Sequence, residues 1–460
     1  MPTAEECYEF ALNSLKIGDR NTAKLHLERA CLLDPGHSRA FAVRGSLLYD
    51  SGQFFDAILN YDRAIANDPD AQYLTNKSSA LAELDQWDQA EEALQQAVKR
   101  NPKLVQAWSN LGYLLLVRGK LNVAETAFRV ALGVDRSCHE AHMGLAFLEL
   151  QQGRFEEGWQ RYEWRKLKLP HRYIAPEWLG GKLADDEAIL LRSEQGLGDV
   201  IQFCRYAPLL KRQFGGKVYL ETRAPLLRLL NTLEGIDGVV GYGDPIPSDV
   251  KYTQMLLSCP WIFKHFSEDE FPGQESYLKA PQARVDDFAL HTSILRDDVL
   301  KVGFCWAGNT GMAANRRRST NLSMWAPLAE VPGIGWISLQ HGPPAVQLRQ
   351  NQVNMTVLDL VGDCDDMADT AALVMNCDLV ITIDTSIAHL AAALGKPTWV
   401  LSRRDACWRW MGDRKDSPWY PTVRHYRQHV FNDWSGLMKT VANDLVKFQT
   451  DFSSRKEFLK

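Results

Sequence analysis

Residues 379–397 read Leu379-Val-Ile-Thr-Ile-Asp384-Thr385-Ser386-Ile-Ala-His389-Leu-Ala-Ala-Ala-Leu-Gly395-Lys-Pro397. The apolar and β-branched run from Leu379 to Ile383 predicts a buried strand that ends at Asp384. Thr385 and Ser386 predict the start of a helix, Gly395 its end, and Pro397 the opening of another strand. Strand passing directly to helix is the unit of a parallel α/β sheet. Free N–H groups in the first helical turn, beside two hydroxyls, form an anion site, with His389 about one turn further on. An ordinary strand, cap and helix uses the same residues, because Ser and Thr are preferred caps.

Outward from this stretch the pattern repeats. Strand-length apolar runs at 188–191, 217–221, 302–306, 336–339 and 398–401 alternate with helical stretches. This predicts two Rossmann-like lobes, about 188–290 and 295–460, the second ending in a helix near 434–448 that is expected to pack back on the first. Residues 171–187, rich in Pro and Gly, are expected to be a linker. Ligands of open α/β sheets bind beyond the carboxyl ends of the strands, which places a site between the lobes.

Several side chains fall at such ends. Ile189-Leu-Leu-Arg-Ser-Glu-Gln-Gly196-Leu-Gly198-Asp199 runs from a strand through a Gly-rich turn into a helix. Asp199 is either a structural N-cap or a general base for an acceptor hydroxyl. The turn lacks the third glycine of a dinucleotide fingerprint. Trp306-Ala-Gly308-Asn309 follows another strand and leads to Asn315-Arg316-Arg317-Arg318-Ser319-Thr320, and Gln340-His341 closes the next strand. The arginines form either a solvated loop or a clamp for a diphosphate. Trp408, Trp410 and Trp419 crowd a polar loop, suited to stacking on a sugar or base, or equally to anchoring the last helix. Asp363-Cys-Asp365 imitates a metal-binding Asp-x-Asp but follows a different strand, and is expected to be a solvated turn.

Residues 1–170 have another period. Pro35 and Pro69 lie 34 residues apart and Pro102 follows 33 later. Alanines recur in pairs seven apart, Ala23 and Ala30, Ala57 and Ala64, Ala90 and Ala97, Ala124 and Ala131, each pair on one helix face. Blocks begin near Ala4, Ser38, Ala71, Val105 and His139. The fifth is degenerate, with Gly158 in place of alanine, as expected of a terminal repeat that packs against something else. This pattern resembles the tetratricopeptide repeat, whose concave groove binds an extended peptide or a partner protein; a spacer or dimerisation surface is the plainer reading.

Bulk properties narrow the class. The 460 residues are 45% hydrophobic and 24% charged, with formal net charge −5. That balance argues against a nucleic-acid partner. Nothing resembles a signal peptide or a membrane span, and nine scattered cysteines without a Cys-x-x-Cys pair argue against disulfides or a cysteine zinc site. A cytoplasmic protein is expected.

Together, Gly-Leu-Gly-Asp199 and the stretch Asp384–Pro397 resemble the heptosyltransferase-like glycosyltransferases, family 9, which are two-lobed GT-B enzymes. With repeats in front, and with Trp306-Ala-Gly-Asn309, Arg318-Ser319, Ser338-Leu-Gln340 and the segment 410–420, the chain is similar to bacterial repeat-bearing glycosyltransferases, some implicated in flagellin glycosylation. The resemblance implies Asp199 as catalytic base. It implies Thr385 and Ser386 as the seat of the donor diphosphate, flanked by Asp384 and His389, and Arg318, Trp306, Asn309 and Gln340 as further donor contacts. Two positions depart from the pattern: Gln202 stands where the family has a His after the base, and Ser386 where it has a Gly. The identity of the sugar therefore does not follow from the resemblance, and ADP-heptose is not assumed as donor. The implied chemistry is inverting transfer from a nucleotide sugar to a hydroxyl, without metal or other cofactor, on a protein acceptor presented by the repeats. A glycan or lipid-linked sugar as acceptor, and a non-enzymatic scaffold with a degenerate transferase domain, remain alternatives.

Overall fold

A computed structural model describes residues 1–169, 174–273, 275–309, 311, 315–350 and 353–458. Helices α1 (Ala4–Lys16), α2 (Arg20–Leu33), α3 (Ser38–Asp50), α4 (Phe54–Asn67), α5 (Ala71–Glu83), α6 (Trp87–Arg100), α7 (Val105–Val117), α8 (Leu121–Val134), α9 (His139–Gln151) and α10 (Phe155–Tyr162) come first. The odd-numbered helices start at the residues that open the sequence blocks. All eight alanines of the seven-residue pairs are fully buried.

On the facing helices, glycine makes room for aromatic rings. A methyl group on Gly45 would lie 2.8 Å from Tyr61, and one on Gly112 would lie 2.5 Å from Phe128. Phe128 is wedged from both sides, since a methyl on Gly144 would strike it too. Gly112→Ala therefore meets an overpacking cost of about 1–3 kcal/mol. That exceeds the gain of about 1 kcal/mol from better helix propensity. The array is expected to lose about 1–2 kcal/mol in urea unfolding; an unchanged midpoint would mean that Phe128 yields freely.

Each block turns between its two helices through a left-handed residue: Gly18, Gly52, Asp85, Gly119 and Gly153, at intervals of 34, 33, 34 and 34. Asp85, at φ 58°, replaces glycine in the third block, a region that Asp enters more readily than most residues.

The first lobe contains β1 (Ala188–Arg192), α11 (Leu197–Phe203), α12 (Tyr206–Phe214), β2 (Lys217–Thr222), α13 (Leu227–Leu230), β3 (Gly238–Gly241), β4 (Val250–Met255) and α14 (Cys259–Phe263). Helix α15 (Gln282–Thr292) leads to the second lobe: β5 (Leu300–Cys305), α16 (Asn315–Arg318), α17 (Ala326–Ala329), β6 (Ile334–Ser338), β7 (Val357–Asp359), α18 (Met367–Met375), β8 (Leu379–Ile383), α19 (Ser386–Ala393), β9 (Thr398–Ser402), β10 (Val423–Arg427) and α20 (Trp434–Phe458). Among the described residues the strands form two parallel sheets, ordered β3-β2-β1-β4 and β10-β9-β8-β5-β6-β7. β8 is buried along its whole length, as a central parallel strand covered on both faces must be.

Two expectations need correction. Helix α20 packs on the second lobe, not the first: Trp434, Leu437, Met438, Val441 and Leu445 share a core with Trp325, Leu328 and Trp399. Residues 170–173, where the linker would begin, lie outside the described residues. The stretch from 174 to 187 is no free tether, because Trp178 N donates to Thr253 O at 2.9 Å and Thr253 N to Pro176 O at 2.9 Å. It thus lines the β4 edge, which would otherwise leave its backbone groups unpaired.

The chain divides into two compact units, 1–148 with 164–168, and 149–163 with 169–460. Helix α10, read from sequence as the second helix of the last repeat, therefore belongs to the α/β unit. Trp159 explains why: it is 1% exposed, and its ring meets Trp408 edge-on at 5.3 Å and lies 6.2 Å from Phe203. The aromatic residues of the alanine-bearing helices thus serve different units, Phe128 of α8 in the array and Tyr162 of α10 in the α/β unit. Among the described residues no helix is long and apolar enough to cross a membrane.

Candidate active site

Strand β8 ends at Asp384 and delivers the start of α19. Thr385 caps this helix: its hydroxyl accepts the Ile387 N–H at 3.3 Å and lies 3.2 Å from the Thr382 hydroxyl. Asp384, Thr385 and Ser386 are partly exposed, while everything behind them on α19 is buried. Amides, hydroxyls and the positive end of the helix thus face outward at one spot, an arrangement that favours an anion.

The first lobe brings its own helix start to the same place. Asp199 is the third residue of α11 and not its N-cap, which is Gly196. One Asp199 oxygen accepts the Gly196 N–H at 2.7 Å. A methyl on Gly198 would lie 2.8 Å from the His389 ring and 3.4 Å from Ser386 Cα. The second glycine of the turn is thus required because the two helix starts touch, one from each lobe. Gln195 carries the turn at φ 61°, and its side-chain amide donates to the Tyr162 hydroxyl of α10 at 2.8 Å.

The other Asp199 oxygen pairs with Arg409, 2.5 Å from Nη2, where the arginine side chain is 9% exposed and the aspartate 18%. Arg409 also lies 4.2 Å over the Trp408 ring, and its Nη1 donates to Cys407 Sγ at 3.2 Å. Burial is the largest influence and works against its charge, but Asp199, Cys407 and Tyr162 together outweigh it and hold the guanidinium well above its ordinary range.

His389 is buried, stacks on Trp410 at 5.2 Å, and shares a hydrogen bond of 3.0 Å with the Tyr420 hydroxyl. Burial, then Arg409 and Arg205, push its pKa down to about 3. His389 is therefore a neutral packing and hydrogen-bonding group at physiological pH. His425, buried against the Ser402 hydroxyl at 2.7 Å, is also pushed down to about 3, by burial and Arg427. Between an ordinary value near 6.5 and 3 the unfolded chain binds protons that these rings do not. Stability is thus expected to fall on acidification through that window, by about 1.4 kcal/mol per pH unit for each histidine. Urea midpoints at pH 7.5, 6 and 5, compared with His389→Gln, test this. Parallel losses in both proteins would remove His389 as a source.

The three tryptophans are not stacking platforms, being 5%, 0% and 2% exposed for Trp408, Trp410 and Trp419. Nor do they anchor the last helix. They form a junction in which Trp408 meets Trp159, and Trp419 stacks on Phe271 at 3.9 Å. Arg205 ties it to the first lobe: Nε donates to Gln202 O at 2.7 Å, Nη1 to Trp419 O at 2.7 Å, and Nη2 to the Tyr277 hydroxyl at 2.7 Å. Gln202, one turn beyond Asp199, is fully buried, and both ends of its amide lack a hydrogen-bond partner among the described residues.

Two of the other expected contacts, Trp306 and Gln340, are buried within the second lobe. Trp306 is fully buried in the second-lobe core and cannot touch a donor. Gln340 is 2% exposed; its oxygen accepts Trp306 and Ala307 N–H at 3.1 and 2.8 Å, and its nitrogen donates to Ala307 O at 3.0 Å, so it shapes the end of β5. Asn309 is exposed and accepts the Gly311 N–H at 3.0 Å; residues 310 and 312–314 of this loop lie outside the described residues. The arginine run does not act as one clamp. Arg317 pairs with Asp405 at 2.9 Å, Arg316 is exposed, and Arg318 reaches the Asp384 carbonyl at 3.3 Å. Asp363 and Asp365 are exposed. Behind that turn Asp369, 1% exposed, joins the lobes by accepting from Arg228 and Arg284, both at 2.9 Å.

Arg409 escaped sequence reading, as did the Tyr162–Gln195 contact. The one local signal was a cation set between two tryptophans, and its partner lies 210 residues away.

Comparison with known proteins matches residues 343–403 to the model of glycosyltransferase family 9 (heptosyltransferase), and residues 75–133 and 114–158 to a tetratricopeptide repeat model. The first match contains Asp384, Thr385, Ser386 and His389, and leaves Asp199 and Arg409 outside. Protein FlbA of Caulobacter vibrioides is 24% identical over 511 residues, covering 94% of this chain and 82% of FlbA. Tetratricopeptide repeat protein 33 of Xenopus laevis is 32% identical over 98 residues, 21% of this chain and 38% of that protein. The crystal structure of the MamA protein covers 37% of this chain and 98% of its own, at 18% identity and a TM-score of 0.32. The chain carries tetratricopeptide repeats and, after them, a glycosyltransferase family 9 domain.

Proposed function

We propose that the α/β unit is an inverting, metal-independent glycosyltransferase that moves a sugar from a nucleotide-sugar donor to a hydroxyl, and that the acceptor is a protein presented by the repeats. The observation that carries this reading is the meeting of two helix starts, one from each lobe, with a carboxylate on one and an anion seat on the other. The donor diphosphate sits against the α19 amides and the Thr385 and Ser386 hydroxyls, with Arg318 close by. Asp199 takes the proton of the acceptor hydroxyl, whose oxygen attacks the anomeric carbon from the face opposite the leaving phosphate. Cations and helix-start amides supply the stabilisation that a metal gives elsewhere. The repeat groove favours a polypeptide acceptor over a glycan or lipid. The resemblance to repeat-bearing glycosyltransferases implicated in flagellin glycosylation makes flagellin the first acceptor to offer.

The test is transfer by the purified full-length protein from a panel of labelled nucleotide sugars to flagellin and to cell-extract proteins, with and without EDTA. Label in protein, undiminished by EDTA, is expected. Normal nucleotide-sugar binding with no transfer to any of these proteins would overturn the protein-acceptor reading.

A further inference from the structure

We propose that Arg409 holds the donor diphosphate, and that it changes partner to do so: paired with Asp199 in the empty protein, it turns to the phosphate oxygens when the donor binds and leaves the carboxylate free. This rests on the glycosyltransferase reading above.

The first ground is unused hydrogen-bonding capacity. Arg409 is 7% exposed. Its Nη1 bonds only to a sulfur, while Nε and Nη2 have no hydrogen-bond partner among the described residues; Nη2 makes only the close ion-pair contact with Asp199. A guanidinium has five N–H donors in a rigid plane, and burying them unsatisfied is costly. Phosphate oxygens match that plane two at a time.

The second ground is position. Arg409 touches Asp199 on α11, and its chain neighbour Trp410 stacks on His389 of α19 at 5.2 Å. It therefore lies beside the place where the starts of α11 and α19 meet. Arg318 reaches the Asp384 carbonyl beside the seat, while further cations are engaged elsewhere: Arg205 with carbonyls and a tyrosine, Arg317 and Arg403 with Asp405, Arg414 with Glu268 and Asp416.

The third ground is that the exchange leaves Asp199 in place. Its second oxygen keeps the Gly196 N–H at 2.7 Å after Arg409 departs. A diphosphate carries more charge than one carboxylate, so it competes for the guanidinium. The step then balances. The acceptor O–H gives its proton to Asp199, the oxygen forms a bond to the anomeric carbon, and the bond from that carbon to phosphate oxygen breaks. The electron pair leaves with the nucleoside diphosphate, paired to Arg409.

Calorimetric titration of the full-length protein with ADP, GDP, UDP, CDP and TDP tests this. The wild type is expected to bind at least one. Arg409→Gln should weaken that binding by about 10- to 100-fold, the range for a charged hydrogen-bond pair, and Arg409→Lys by less. Asp199→Asn should tighten it, because no carboxylate competes for the guanidinium. If the wild type binds a nucleoside diphosphate, and Arg409→Gln binds it equally well or Asp199→Asn binds it more weakly, the exchange is wrong and the transferase reading stands. If the wild type binds none, the transferase reading fails and the exchange with it. Should Arg409→Gln not fold by circular dichroism, Arg409→Lys and Asp199→Asn decide.

Discussion

Trp159→Ala is expected to lower the unfolding free energy of the α/β unit by about 3–5 kcal/mol, the cost of deleting a large buried aromatic. The residue belongs by sequence to a repeat and by packing to the other unit. Its ring is almost wholly buried among Trp408, Phe203 and Trp419, so truncation leaves a cavity at the junction of both lobes and α10. The same packing sets where the chain can be cut. A fragment starting at Glu149 keeps α10 and is expected to fold. One starting at 174 exposes Trp408 and Phe203 and is expected to aggregate or melt far lower. Urea unfolding followed by tryptophan fluorescence reads both effects. Coincident midpoints for the two fragments would show that α10 contributes nothing to the unit.

Asp199→Asn is expected to reduce the rate of transfer about 10²- to 10⁴-fold, the usual share of a positioned general base. The asparagine oxygen can still accept the Gly196 N–H, so the turn is kept. Arg409 loses its counter-charge, and breaking such a pair costs about 3 kcal/mol when it is well buried. The rate must therefore be referred to folded protein, and nucleoside diphosphate should stabilise the variant more than the wild type. A variant that transfers at the wild-type rate would remove Asp199 from the chemistry.

The sequence announced the parts of this molecule that depend on local pattern. The 34-residue period located the start of each block because small residues must recur wherever helices approach closely. Continuous apolar runs located β1, β2, β5, β6, β8 and β9, because parallel strands are buried on both faces. Strands β3, β4, β7 and β10 were missed, since Gly238-Val-Val-Gly and Val357-Leu-Asp are short and Val-Lys-Tyr-Thr-Gln-Met and Val-Arg-His-Tyr-Arg carry polar residues at sheet edges. The candidate site was legible on each lobe separately, at Asp199 and at Thr385-Ser386. What joins them was not. Whether Trp306 packs inside or stands in the cleft, and whether Arg409 meets a carboxylate, depends on residues far off in the chain. Gly198 is instructive: its role as a small residue was visible, while the His389 ring that demands it lies on the other lobe.

The left-handed turns at Gly18, Gly52, Asp85, Gly119 and Gly153 bear on how such a gene can change. Cutting or duplicating the coding sequence between two equivalent turns removes or adds one period of two helices, and joins the first helix of one block to the second helix of another through the same kind of turn. Unequal recombination can thus lengthen or shorten the array in whole steps. The α/β unit starts at Glu149, beyond all but the last of these turns. The length of the array can consequently vary while the α/β unit is inherited unchanged.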